Sequence, residues 1–169
     1  MSSSVFVASA SIAAVLMVGC GGDDRDSLAY PTAPPDARTA RVERVVDGDT
    51  IRLAGVGPAR LIGIDTPETR GDRVECFGPE ATRYVRGLLP AGAGVRYTVG
   101  EDPRDRYGRL LVYLYMPDGA ALNYVLVTAG YATALTVPPN DRWARVFERA
   151  ERGARLARSG MWSRPGCGG

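Results

Sequence analysis

The sequence predicts an α+β domain, and three observations carry that expectation. Short apolar-alternating runs fill residues 41–66 and recur in 94–116, bounded by Gly, Pro and Asp-Gly turn signals. A stretch at helical spacing, 78–89, separates the two groups, and two more helical stretches follow them. A chain of 169 residues with ordinary apolar and charged content holds one globular core plus processing and tether segments.

The domain is expected over residues 40–169. Ahead of it, "VFVASASIAAVLMVGC" is an apolar run, short for a membrane-spanning helix, which needs about 20 apolar residues. Followed by "GGDD", it reads as an export signal over residues 1–20. A small residue before Cys20, with polar residues after it, resembles a bacterial lipoprotein processing site. Cys20 would then be the lipid-modified N-terminus, the alternative being a plain signal peptide cut nearby. Residues 21–39 are Gly, Asp, Ser and Pro with few apolar side chains, a flexible linker rather than a core.

Within the domain, "ARVERVVDGDTIRLAG" reads as two short strands around an Asp-Gly turn. "ARLIGIDTP" is a third strand, stopped by Pro67, and "ETRGDRVECF" a loop. Gly78-Pro79-Glu80 opens the first helix, with Pro in the first turn and an acid beside the positive end. Ala81, Tyr84, Val85, Leu88 and Leu89 share its apolar face, and Pro90 stops it. "GVRYTVG" and "GRLLVYLYM" are the fourth and fifth strands. Asn123 is placed to cap a second helix that closes at Gly130, with Leu122 and Val127 as a hydrophobic staple. Asn140 is placed to cap a third, with Trp143, Val146, Phe147, Ala150 and Ala154 facing the core. The order β-β-β-α-β-β-α-α is that of a small oligonucleotide-binding (OB) barrel, and other α+β folds share it.

The chain has no His and no Lys; every basic side chain is Arg. Ser-His-Asp triads, Cys-His pairs and His-ligated metals are therefore excluded. Catalysis would have to run on carboxylates, Arg, Tyr, Ser or Thr, with a hard metal ion. Asp49 opens one strand and Asp65 closes another. If those strands pair, two like charges meet and require a cation between them. With oxygen ligands alone, Ca²⁺ or Mg²⁺ is favoured. Arg60 alternates with Ile62 and Ile64, and on an inward face it needs an anion. Gly108 before Arg109 would allow close backbone approach, letting that guanidinium reach a neighbour. Asp49 alone reads equally well as a turn residue, and Glu68 alone as a solvated loop acid.

These residues stand in "VVDGDTIRL", Arg60 five residues before "DTPET", "GPEA", "DRYGR", an Asn-led helix ending in Gly, and "GMWS". In that order the motifs resemble the staphylococcal nuclease (thermonuclease) family across roughly 41–163. The resemblance implies a five-stranded OB-fold barrel with three helices. It implies Ca²⁺ held by Asp49, Asp65 and the backbone carbonyl of Thr66. Glu68 would act on the attacking water, and Arg60 and Arg109 on the phosphodiester. Apart from the resemblance, Tyr107 is a candidate to contribute near the phosphate, while Tyr131 and Tyr84 are expected in the core. The family's type member presents two Tyr beyond the second helix. Here those positions are Thr136 and Pro138, which predicts weaker nucleotide binding, since base stacking is worth roughly 1–3 kcal/mol per base.

From Ala40 onward 19 Arg face 15 acids, a mild bias towards a polyanion. Six of those Arg (142, 145, 149, 152, 155 and 158) line the last helix. Asp141, Glu148 and Glu151 each precede an Arg by four residues, so solvated pairing is the expected role. Cys76 and Cys167 are an even pair, and in an exported domain they suggest a disulfide. Closing a loop of about 90 residues is worth up to roughly 4–5 kcal/mol in the chain-entropy model. The expectation is an exported, Ca²⁺-dependent monomeric endonuclease. It would be tethered to the membrane through Cys20 and cleave DNA and RNA with little sequence specificity, leaving 3′-phosphates. The rivals are a non-catalytic nucleic-acid-binding OB-fold module and a structural envelope lipoprotein.

Overall fold

The computed structural model describes residues 30–69 and 74–167. The export signal of residues 1–20, Cys20, the linker up to 29, and 70–73 of the expected loop lie outside the described residues. In chain order the elements are β1 (Arg38–Val45), β2 (Thr50–Leu53), β3 (Gly57–Leu61), β4 (Ile64–Asp65) and α1 (Gly78–Leu88). There follow β5 (Gly94–Arg104), β6 (Leu110–Tyr115), α2 (Leu122–Thr128), β7 (Thr133–Ala134) and α3 (Ala144–Leu156). A 3-10 turn, Gly160–Ser163, ends the helical part.

Five strands close a barrel in the order β1-β2-β3-β6-β5, the α+β OB-type architecture. Ile51, Leu53, Ala59, Leu61, Val112 and Leu114 fill it and are at most 1 % exposed. Val85 and Leu89 of α1, Leu122 and Leu126 of α2 and Phe147 of α3 join the same core. β3 runs parallel to β6, Ala59 opposite Leu110 and Arg60 opposite Leu111. β2 runs antiparallel to β3 with Thr50 opposite Arg60. Those registers bring the β1–β2 turn, Arg60 and the approach to β6 to one end of the barrel.

The third strand is two strands. Gly63 takes φ +77°, open to glycine and costly for other residues, and the run breaks after Leu61. Ile64–Asp65 then leaves the barrel and pairs with Thr133–Ala134. Asp65 therefore flanks the barrel wall instead of ending one of its strands. The packed chain also begins earlier than Ala40: Thr32 bridges Ala120, and Ala33 N–H donates to Gly119 O at 3.0 Å.

Neither expected asparagine caps a helix. Asn123 is fully buried; its Oδ1 accepts from Leu114 N–H at 3.1 Å, and its Nδ2 donates to Ile62 O at 2.8 Å. Asn140 pairs with both backbone groups of Asp102. The helices start at Leu122 and Ala144 without side-chain caps. A buried amide that satisfies several strand groups removes more unsatisfied polarity than an exposed cap does. Of the three pairings expected on the last helix, only Glu151–Arg155 forms, at 2.7 Å. Arg145 and Arg149 flank a groove of about 500 Å³ between α2 and α3 instead.

Cys76 is bonded to Cys167, with a Cα–Cα distance of 5.4 Å. Phe77, Met161 and Cys167 form a small cluster of their own, apart from the barrel core, with Tyr131 and Trp162 against it. Tyr84 stacks on Tyr131 at 4.1 Å, both half-buried at the edge of the core.

Candidate active site

The β1–β2 turn is built to aim a carboxylate inward. Asp47 Oδ1 accepts the N–H groups of Asp49 and Thr50, at 3.3 and 2.8 Å, the self-capping habit of Asp in turns. That frees the Asp49 side chain, which is buried at 7 % exposure. Its Oδ2 accepts Thr66 N–H at 3.0 Å and Thr66 Oγ1–H at 2.9 Å. Gly48 makes this approach possible, because a Cβ there would lie 2.6 Å from Thr66 Oγ1. Asp49 is thus a structural hub as well as a candidate ligand.

Arg60 lies between the two aspartates. Its Nη1 is 3.1 Å from Asp49 Oδ2, and its Nη2 donates to Asp65 Oδ1 at 2.7 Å. Nη1 also donates to the carbonyls of Leu61 and Ile64, both at 3.0 Å. The anion that a half-buried Arg on this strand needs is therefore supplied by both candidate metal ligands. Arg109 joins the same knot through Thr50. Its Nη1 donates to Thr50 Oγ1 at 3.1 Å, and that hydroxyl donates to Asp49 Oδ1 at 3.2 Å.

Asp105 holds Arg109 and was missed by the sequence reading. Its Oδ2 takes Arg109 Nε–H at 2.6 Å, and its Oδ1 takes the N–H groups of Tyr107 and Arg109, both at 2.9 Å. The signal was present: Asp and Arg four apart around Tyr-Gly. Burial raises the Asp105 carboxyl, but the bonds from Arg109 outweigh it and hold it below the ordinary value. Gly108 acts differently from the expectation. Nothing lies within 4 Å of a Cβ placed there, so its φ of +76° shapes the turn and no close approach is involved. Tyr107 stands 68 % exposed, its ring 5.4 Å from the Arg109 guanidinium and 4.8 Å from that of Arg106.

Glu68 is exposed on the loop after Pro67, and Glu75 reaches its backbone N–H at 3.0 Å. Glu68 is raised above the ordinary carboxylate value, by burial first and then by Asp49, Asp47, Asp65 and Glu75. Asp65 is raised too, by burial most, against the lowering effect of Arg60. The same holds for Asp47, by burial and then by Asp49. Five carboxylates therefore share one field, and the guanidinium between Asp49 and Asp65 does not neutralise it. An acid-rich, His-free donor set of this kind fits a hard divalent cation. Among the described residues no three His, Cys, Asp or Glu side chains converge as a ligand cage. Two carboxylates and the Thr66 carbonyl would leave most of the coordination to water and phosphate.

A cleft of about 180 Å³ opens beside Arg60 and Arg109, with Asp105 and Leu111 in its wall. Its outer rim is aliphatic: Leu135, Val137 and Pro138. Pro138 thus lies at the cleft, while Thr136 is exposed next to it and is not part of the lining.

Two guanidinium groups that border a cleft, among acids that favour a cation, suit one substrate group, a phosphodiester. The class so defined is a nuclease, a hydrolase of phosphodiester bonds. Over residues 58–164 the sequence matches the family described as Staphylococcal nuclease homologue, and the chain belongs to that family. A thermonuclease of Staphylococcus intermedius is 36% identical over 128 residues, covering 73% of this chain and 75% of that protein. An uncharacterized endonuclease of Escherichia coli O157:H7 is 37% identical over 126 residues, covering 73% and 76%. Endonuclease YhcR of Bacillus subtilis (strain 168) is 34% identical over 156 residues, which is 83% of this chain but 13% of that protein.

Proposed function

We propose that the chain is an exported, Ca²⁺-dependent endonuclease that cleaves DNA and RNA with little sequence specificity and leaves 3′-phosphates. The observation that supports it most is the single knot of Asp49, Thr50, Arg60, Asp65, Thr66 and Arg109, with Glu68 in the same acid field. Asp49, Asp65 and the Thr66 carbonyl would hold Ca²⁺, and the bound ion would supply positive charge to a phosphate oxygen.

The chain's own groups do the rest. Glu68 accepts a proton from the attacking water, which adds to phosphorus in line with the departing 5′-oxygen. The bond from phosphorus to that oxygen breaks, the oxygen leaves with the bonding pair and takes a proton from solvent water as the 5′-hydroxyl, and the phosphate stays on the 3′ side. Arg60 and Arg109 donate hydrogen bonds to the oxygens on which charge accumulates. Asp105 keeps Arg109 aimed, and Tyr107 borders the same guanidinium. Contacts made to phosphate and not to base edges carry no sequence information, which accounts for low specificity. Export, a lipid on Cys20 and a monomeric state belong to the same reading and rest on the sequence.

The test is cleavage of DNA and of RNA by the purified protein with Ca²⁺ and with chelator, alongside thermal unfolding in both. Ca²⁺ should switch cleavage on and raise Tm, because a cation relieves the mutual repulsion of the acids. Equal cleavage in chelator would remove the metal assignment. No cleavage in either would favour the binding-module rival.

A further inference from the structure

Resting on the nuclease reading above, we propose that the Cys76–Cys167 disulfide and Glu75 form a brace that positions Glu68 at the barrel end. Among the described residues the Glu68 carboxylate makes no hydrogen bond or ion pair of its own. Its place is set through its backbone. Glu75 Oε2 accepts Glu68 N–H at 3.0 Å, and Glu75 N–H donates to Glu68 O at 2.9 Å. The Glu68 carbonyl also packs on Gly78, so closely that no Cβ fits there. Glu68 is therefore located by the turn Glu75–Gly78 beneath it, closed by Gly78 N–H to Glu75 O at 3.1 Å.

That turn needs to be held. Phe77 sits at φ +76°, a conformation disfavoured for any residue with a Cβ. The holding groups come from the other end of the chain. Cys167 is bonded to Cys76, and Arg164 lies 5.0 Å from the Phe77 ring centre and pairs with Glu80 at 3.0 Å. The tail that carries them is itself fixed, with Met161 fully buried and its N–H bonded to Gly130 O at 2.9 Å. Among the described residues no hydrogen bond ties the brace to a barrel strand, and its apolar cluster meets the barrel core at its edge, through Tyr131. Cutting it should therefore loosen Glu68 and leave the barrel folded. Cys76, Cys167 and Glu75 are positioning residues that act on the reaction through Glu68.

The experiment compares wild type, Cys167→Ser and Glu75→Ala, each with and without Glu68→Gln, in the full chain. It reads kcat and KM on a defined oligonucleotide at saturating Ca²⁺, circular dichroism, and hydrogen exchange at the Glu68 amide. Each brace variant should lower kcat on the order of 10–100-fold, the cost of a roughly 1 Å misplacement. KM should stay within about two-fold, and the Glu68 amide should exchange faster. In the Glu68→Gln background neither change should lower kcat further, because both act through that carboxylate. Treating wild type with a dithiol should reproduce Cys167→Ser. The dithiol supplies two electrons and two protons, leaving two protein thiols and its own cyclic disulfide.

Folded variants with wild-type kcat, or losses that add to Glu68→Gln, would overturn the brace. So would alkylation of both thiols in the unreduced native protein. If Cys167→Ser does not fold, Glu75→Ala decides, since it keeps the disulfide. If wild type does not cleave at all, the nuclease reading fails, and amide exchange alone decides the brace.

Discussion

Asp49 and Glu68 are both carboxylates of one site, yet the molecule treats them in opposite ways. Asp49 is buried, accepts hydrogen bonds from Thr50 and Thr66, and forms an ion pair with Arg60. Glu68 is exposed and, among the described residues, is held through its backbone. The difference teaches where rigidity is needed. On the proposed reading, a group that would bind a cation and also pairs with an arginine has to keep its place whether or not substrate is bound. On the same reading, a group that would take a proton from water gains from standing at the solvent edge, provided something fixes its loop.

The sharpest break of this contrast is Arg60→Ala. It strands Asp49 among other acids without its guanidinium, and breaking such a buried pair costs about 3–5 kcal/mol. Urea unfolding in chelator should show that loss, and cleavage should fall by on the order of 10²–10³-fold as well. Glu68→Gln should do the reverse, lowering kcat by roughly 10²–10⁴-fold while stability moves by no more than about 0.5 kcal/mol. A large stability change there would mean that Glu68 belongs to the buried knot after all.

Smaller effects refine the picture. Gly48→Ala pushes Thr66 off Asp49 and should cost about 1–3 kcal/mol, the usual range for overpacking, read by thermal unfolding. Asp105 makes a pH prediction. Its folded pKa lies below the ordinary 3.8, so its pairing with Arg109 stabilises the fold above that value. The contribution is lost as pH falls through the depressed folded pKa. Asp105→Asn should remove that part of the acid dependence in unfolding curves measured from pH 6 to pH 2. Arg152→Ala should change kcat and KM by no more than a few-fold. A larger effect would draw the arginine face of α3 into substrate binding.

The motifs that meet at the candidate site were legible because their signals are local. "DGDT", "DTPE" and "DRYGR" each carry their own turn chemistry, and their order along the chain matches one family. Asp105 was overlooked although it sits in a motif already singled out, because its role appears only once Arg109 is aimed across the barrel. Asn123 and Asn140 misled for a related reason. Before an apolar run, Asn reads as a cap, and only the barrel wall offers it backbone groups to satisfy instead. The split at Gly63 was equally invisible, since alternation continues through "ARLIGIDTP" while the backbone turns away.

The sequence by itself determined the fold class, the absence of histidine chemistry and the set of carboxylates and arginines from which a site could be made. Those follow from periodicity and composition, which are properties of the chain alone. Tertiary structure decided that Arg60 would stand between Asp49 and Asp65, that Arg109 would reach Asp49 through Thr50, and that the tail carrying the expected Cys76–Cys167 bond would set Arg164 against Phe77 and Glu80. Each joins residues that only barrel closure or the return of the tail brings within hydrogen-bond or covalent reach, at ranges where a shift of an ångström separates a contact from none.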